Sequence, residues 1–105
     1  MKYEVLITPR AEREAQSNHD WWAENRSVEQ AARWYDEFLR VALSLERNPE
    51  RHVIAAENDR FPYELRQLNF GIGRKPTHRL VFTIRPKEVV ILRVRHLAQE
   101  EIDLG

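Results

Sequence analysis

The sequence contains no cysteine, one methionine, three glycines and five prolines among its 105 residues. Without cysteine there is neither a disulfide framework nor a thiolate metal site. So little glycine and proline argues against low-complexity disorder. No stretch approaches the roughly 18 apolar residues of a membrane span. The opening Met1-Lys2-Tyr3-Glu4-Val5 carries an acid where a secretory signal would run apolar. These absences fit a cytoplasmic protein without membrane partners. What remains is 42% hydrophobic, with three Trp, three Tyr and four Phe, enough for one core and one domain spanning 1–105.

Net charge is zero, but its distribution is uneven. From Arg60 to His96 there are nine bases and two acids, leaving eight bases and fifteen acids for the rest. A basic segment set against an acidic one suggests an anionic partner, nucleic acid or an acidic protein segment. The alternative is that the two halves neutralise each other within the monomer.

Tyr3, Val5 and Ile7 alternate as in a short strand that ends at Thr8-Pro9, where a helix can be capped and started. Ala11, Ala15, Asn18 and Trp22 share one face of that helix, which should stop around residues 24–26. Ser27-Val28-Glu29-Gln30 has capping-box form. Behind it Val28, Ala31, Ala32, Tyr35, Phe38, Leu39, Ala42 and Leu45 recur at helical spacing until Asn48-Pro49.

After a polar loop, 51–61, residues 63–70 read as a strand whose alternation needs a bulge near Arg66-Gln67. Gly71-Ile72-Gly73-Arg74-Lys75-Pro76 is a turn and lacks the context of a dinucleotide loop. In the next strand His78, Leu80, Phe82 and Ile84 oppose Arg79, Val81, Thr83 and Arg85. In the last, Val90, Leu92, Val94 and His96 oppose Val89, Ile91, Arg93 and Arg95. The expected fold class is α+β: a two-helix hairpin on a small antiparallel sheet in the order β-α-α-β-β-β, with the first strand at the edge or beside the last.

His78-Arg79-Leu80-Val81-Phe82-Thr83-Ile84 followed by Val90-Ile91-Leu92-Arg93-Val94-Arg95-His96 resembles the terminal strand pair of RelE/ParE toxins, also called plasmid-stabilisation proteins. Thr8-Pro9-Arg10-Ala11-Glu12, Ala31-Ala32-Arg33-Trp34-Tyr35, Leu45-Glu46-Arg47-Asn48-Pro49 and Phe61-Pro62-Tyr63-Glu64-Leu65-Arg66 are similar to that family's remaining pattern, so the resemblance covers nearly the whole chain. It implies the toxin of a type II toxin–antitoxin module, neutralised by a cognate antitoxin. It also implies one of two targets: DNA gyrase, bound without catalysis, or ribosome-bound mRNA, cut by a metal-independent endoribonuclease. A third reading is a non-toxic nucleic-acid-binding relative. No cofactor or metal is implied.

If the chain is a nuclease, the resemblance assigns Arg66, Arg79 and His96 to catalysis, with arginine holding phosphorane charge and histidine moving a proton. The residue after His96 is Leu97, and no tyrosine follows Tyr63, whereas nuclease members commonly place a tyrosine at that strand end. The balance therefore tilts toward the gyrase-directed mode, with His96 as a structural histidine. Arg74, Lys75, Arg79, Arg93 and Arg95 form the expected binding surface, covered together with the C-terminal tail by antitoxin through helix docking or strand addition. Acids of the antitoxin should meet Arg79, Arg93 or Arg95. Trp21, Trp22 and Trp34 are expected to pack within the helix hairpin, His78 in its strand, and His19 and His52 at the surface. Helical Glu and Asp residues read as solvated charges.

Overall fold

The computed structural model describes residues 2–99. Strand β1 spans Glu4–Ile7, helix α1 Pro9–Asn25, helix α2 Val28–Ser44, β2 Arg66–Phe70, β3 His78–Ile84 and β4 Glu88–His96. Both helix starts follow their capping chemistry. The Thr8 hydroxyl accepts from the Ala11 amide at 3.2 Å, with Pro9 in the first turn, and the Ser27 hydroxyl accepts from the Gln30 amide at 3.1 Å. α2 ends at Ser44, before the expected Asn48-Pro49 stop, as its last turn tightens with Leu45 and Glu46 amides donating to the carbonyls of Ala42 and Leu43. Asn48, with left-handed backbone at φ 48°, and Pro49 then turn the chain away.

The sheet order is β1-β4-β3-β2. β2, β3 and β4 form the expected antiparallel meander. β1 takes the place beside the last strand but runs parallel to β4, so the sheet is mixed. That direction follows from connectivity, because a two-helix excursion separates β1 from the meander and a crossover permits parallel pairing.

The bulge expected near Arg66-Gln67 lies instead in the β3–β4 pair. There Val81 faces Arg93 and Phe82 faces Ile91, leaving Leu92 as the extra residue. Residues 63–65 precede β2, and their alternation needs no correction within a strand.

Both faces of β3 are buried. On the helix side Leu80, Phe82, Val89, Ile91 and Val94 pack against Ala11, Ala15, Trp34, Phe38 and Ala42. The alanines admit close approach, while Trp34 and Phe38 stack at 6.0 Å between near-parallel rings. Burying each such large side chain contributes roughly 2–3 kcal/mol.

On the outer side the loop after α2 folds back over the sheet. Ala55 and Leu65 close on Val81, with Phe61 and Leu92 at the margin. Ala55 N–H donates to the Leu65 carbonyl at 2.8 Å, and Gln67 N–H donates to Val53 at 3.0 Å, so the loop also covers the β2 edge. Ala55, Leu65 and the charged Glu57 turn inward, whereas Val53 and Ile54 stay exposed.

Candidate functional site

Arg79 stands on the outer side of β3, where alternation puts it, yet it is only 6% exposed. The carboxylate of Glu57, from the overlying loop and fully buried, receives both guanidinium nitrogens: Nη1 donates to Oε1 at 2.7 Å and Nη2 to Oε2. Arg79 Nη1 also donates to the Gln67 side-chain oxygen at 3.1 Å. A planar guanidinium on a carboxylate is the pairing that best tolerates burial.

Arg66 is engaged similarly. Its Nη1 donates to the carbonyls of Glu50 at 2.9 Å and His52 at 2.7 Å, and its Nε donates to Glu64 at 2.9 Å. It ties the beginning and end of the loop to β2. His52, expected at the surface, is half-buried with its ring 5.9 Å from Phe82, and burial pushes its pKa down, helped by Arg51 and Arg66.

Beyond the end of β1 no strand among the described residues covers the outer edge of β4. Glu14 of α1 fills that gap. Its carboxylate accepts from Arg93 Nε at 3.0 Å and Nη2 at 2.8 Å, and from the Val94 amide at 3.0 Å. Arg95 is cross-strand from Arg79 and half-buried. Burial, with Arg93 close by, lowers its pKa from the ordinary arginine value. Arg74 and Lys75 are exposed in the β2–β3 turn. The tail, expected to share the binding surface, lies outside the described residues.

His96 falls on the helix side, as alternation with Val94 requires, and is exposed. Its ring lies 5.0 Å from that of buried His78. His78 Nδ1 accepts from the Trp34 indole N–H at 3.3 Å and the Thr77 hydroxyl at 2.8 Å. Its Nε2 therefore carries the proton, donated to Asn18 Oδ1 at 2.9 Å. Burial, then the neighbouring His96, lowers the His78 pKa to about 4. His78 is thus a neutral packing residue. His96 Nδ1 accepts from the Ala98 amide at 3.0 Å, so the ring's other nitrogen, Nε2, is the donor. Arg79, Arg66 and His96 do not converge: Arg79 lies on the outer side beneath the loop, Arg66 is cross-strand from Phe82 and reaches the carbonyls of Glu50 and His52, and His96 sits beside His78 at the other end of β3.

The sequence profile of ParE toxins of the type II toxin–antitoxin system parDE matches residues 5–101. The chain belongs to the ParE toxin family. A solved structure described as the chromosomal ParDE TA system from P. aeruginosa superposes with a TM-score of 0.72 at 16% sequence identity. It covers 90% of this chain and 96% of that one, a likeness of fold. No curated protein matches the sequence.

Within this ParE-family chain the geometry gives cation placement, and among the described residues Arg66, Arg79 and His96 are not brought together. Glu14 and Glu57 were missed in the sequence, since one sits on a helix rich in charge and the other in a polar loop. A cleft of about 530 Å³ opens at the helix-side end of β3 and β4, lined by α1 residues including Trp21, Trp22 and Arg26 together with His78, His96 and Gln99. Trp21 is 48% exposed, in contrast to the expected hairpin packing. Neighbouring residues on a helix point about 100° apart, and Trp22 takes the inward direction. Among the described residues no helix is long and apolar enough to cross a membrane, and no group of three metal-ligating side chains occurs.

Proposed function

We propose that this chain is a toxin neutralised by a cognate antitoxin encoded beside it, and that it acts by binding its target, DNA gyrase, rather than by cutting RNA. Membership of the ParE toxin family supports the antitoxin partnership. The single observation that carries the non-catalytic mode is the buried pairing of Arg79 with Glu57. An arginine that stabilises a phosphorane must meet phosphate oxygens, and here both terminal nitrogens already hold a carboxylate. Arg66 is likewise committed to backbone carbonyls, and Leu97 follows His96 where a nuclease tyrosine would stand.

The deciding experiment measures supercoiling by purified gyrase in the presence of the chain, beside primer extension on mRNA after induction in cells. Inhibited supercoiling without new mRNA ends is expected. New mRNA ends with gyrase unaffected would replace this reading with ribosome-dependent endoribonuclease activity through Arg66, Arg79 and His96. Unimpaired growth with salt-sensitive nucleic-acid binding would instead mark a non-toxic relative.

A further inference from the structure

The arginine strand face expected to meet the antitoxin is largely answered from within, Arg79 by Glu57 and Arg93 by Glu14. The cleft at the C-terminal end of α1 differs in kind. None of the described residues lining it carries a carboxylate, while Arg26, His96, Ser17 and Gln99 present polar groups and Trp21 and Trp22 present aromatic surface. The two indoles meet edge-on at 5.7 Å, and the Arg26 guanidinium lies 5.4 Å from the centre of the exposed Trp21 ring. Aromatic and arginine side chains grouped around a concavity are the usual energetic centre of a protein interface.

Charge narrows the occupant. A nucleic acid needs a track of cations along its backbone. Here one arginine serves the cleft, and the same helix exposes Asp20 and Glu24 on the adjoining turns, which repel a polyanion. A peptide with a single carboxylate beside an apolar side chain fits both the aromatic wall and the lone guanidinium. The edge of β4 beside the cleft is already answered by side chains, so the occupant is held through its own side chains and not as an added strand. Val94 and His96 amides donate there to side chains, Glu14 at 3.0 Å and Gln99 at 2.7 Å, instead of to a strand.

We propose that this cleft is the anchor site for a segment of the cognate antitoxin. That segment sets one apolar side chain against Trp21 and Trp22 and a nearby carboxylate on Arg26 and His96. The inference rests on the toxin–antitoxin reading above and adds where the antitoxin is held. The cleft then recognises a short acidic-apolar peptide, and the strand arginines maintain the fold beneath it.

The test titrates the purified chain with the purified product of the gene adjacent to its own, by calorimetry, for the natural sequence, Trp21→Ala, Arg26→Glu and Lys87→Glu. Trp21 and Arg26 are exposed, so both variants should melt within a few degrees of the parent. The expected result is affinity weakened about 30-fold by Trp21→Ala and at least about 10-fold by Arg26→Glu. Lys87→Glu, at the opposite end of the strands, should bind within about threefold of the parent. Tight binding by the parent with both cleft variants unchanged would overturn the anchor site and leave the toxin–antitoxin reading standing. No binding by the parent would overturn that reading, and the anchor site with it. Variants that bind the adjacent product normally but no longer inhibit gyrase would assign the cleft to the target and overturn the proposal.

Discussion

Glu57 and Arg79 are 22 residues apart, and together they form a buried bidentate ion pair that fastens the loop over the outer face of β3. Removing one partner strands the other charge away from water. Glu57→Gln and Arg79→Met should each lower stability by about 3–5 kcal/mol, and replacing both with apolar residues should cost much less than the two losses combined. Urea unfolding of the four-member cycle measures this. Additive losses would show that the two side chains do not depend on one another.

The second internal clamp makes a finer prediction. Glu14 serves both Arg93 and the Val94 amide. Glu14→Ala should cost about 2 kcal/mol, whereas Glu14→Gln keeps an acceptor for the amide and should cost about 1 kcal/mol. Hydrogen exchange at the Val94 amide should accelerate markedly in the alanine variant and only slightly in the glutamine one. Equal exchange in both would place the stabilisation elsewhere.

These two clamps mark what the sequence could and could not say. Thr8-Pro9 and Ser27-x-x-Gln30 are local signals, and the helices begin where they stand. Alternation in 78–84 put Arg79 on the side opposite Leu80 and Phe82 correctly. It could not reveal that this side is covered, because the cover comes from a loop whose inward residues, Ala55, Glu57 and Leu65, have no period. The bulge at Leu92 is similarly silent. It lets Ile91 and Val94 reach the same core from positions three apart, a spacing that simple alternation assigns to opposite faces.

Acid should loosen the fold through His78. Its ring is neutral, enclosed by Trp34 of α2, Asn18 of α1 and Thr77, with His96 of β4 facing it and Arg26 across the cleft. Its folded pKa, about 4, lies below the ordinary 6.5. The unfolded chain therefore binds the proton first. Stability should be complete above pH 6.5 and decline as the pH falls toward 4, by about 2 kcal/mol at pH 4.5. His52, also lowered, adds in the same direction. Asp20, Glu37 and Glu50 have lowered values and lose their contributions mainly below their ordinary 3.8–4.5, so the interval from 6.5 to 4.5 reports the histidines. Urea melts across that interval should show the slope, and His78→Gln should flatten most of it. An unchanged slope in that variant would assign the titration to His52.

The last prediction separates a structural Arg79 from a catalytic one. If Arg79 serves the fold, toxicity in Glu57→Gln and Arg79→Met should fall together, each in proportion to its loss of folded protein. The double variant Glu57→Leu/Arg79→Met, with an apolar pair in place of the charged one, should fold and still arrest growth. A nuclease that uses Arg79 on phosphate would behave differently, since Glu57→Gln would release the guanidinium and spare or raise activity, while every Arg79 variant would be inactive even when folded. Growth curves paired with the soluble folded fraction of each variant decide between them. Loss of toxicity in a well-folded double variant would mean that Arg79 acts on the target itself.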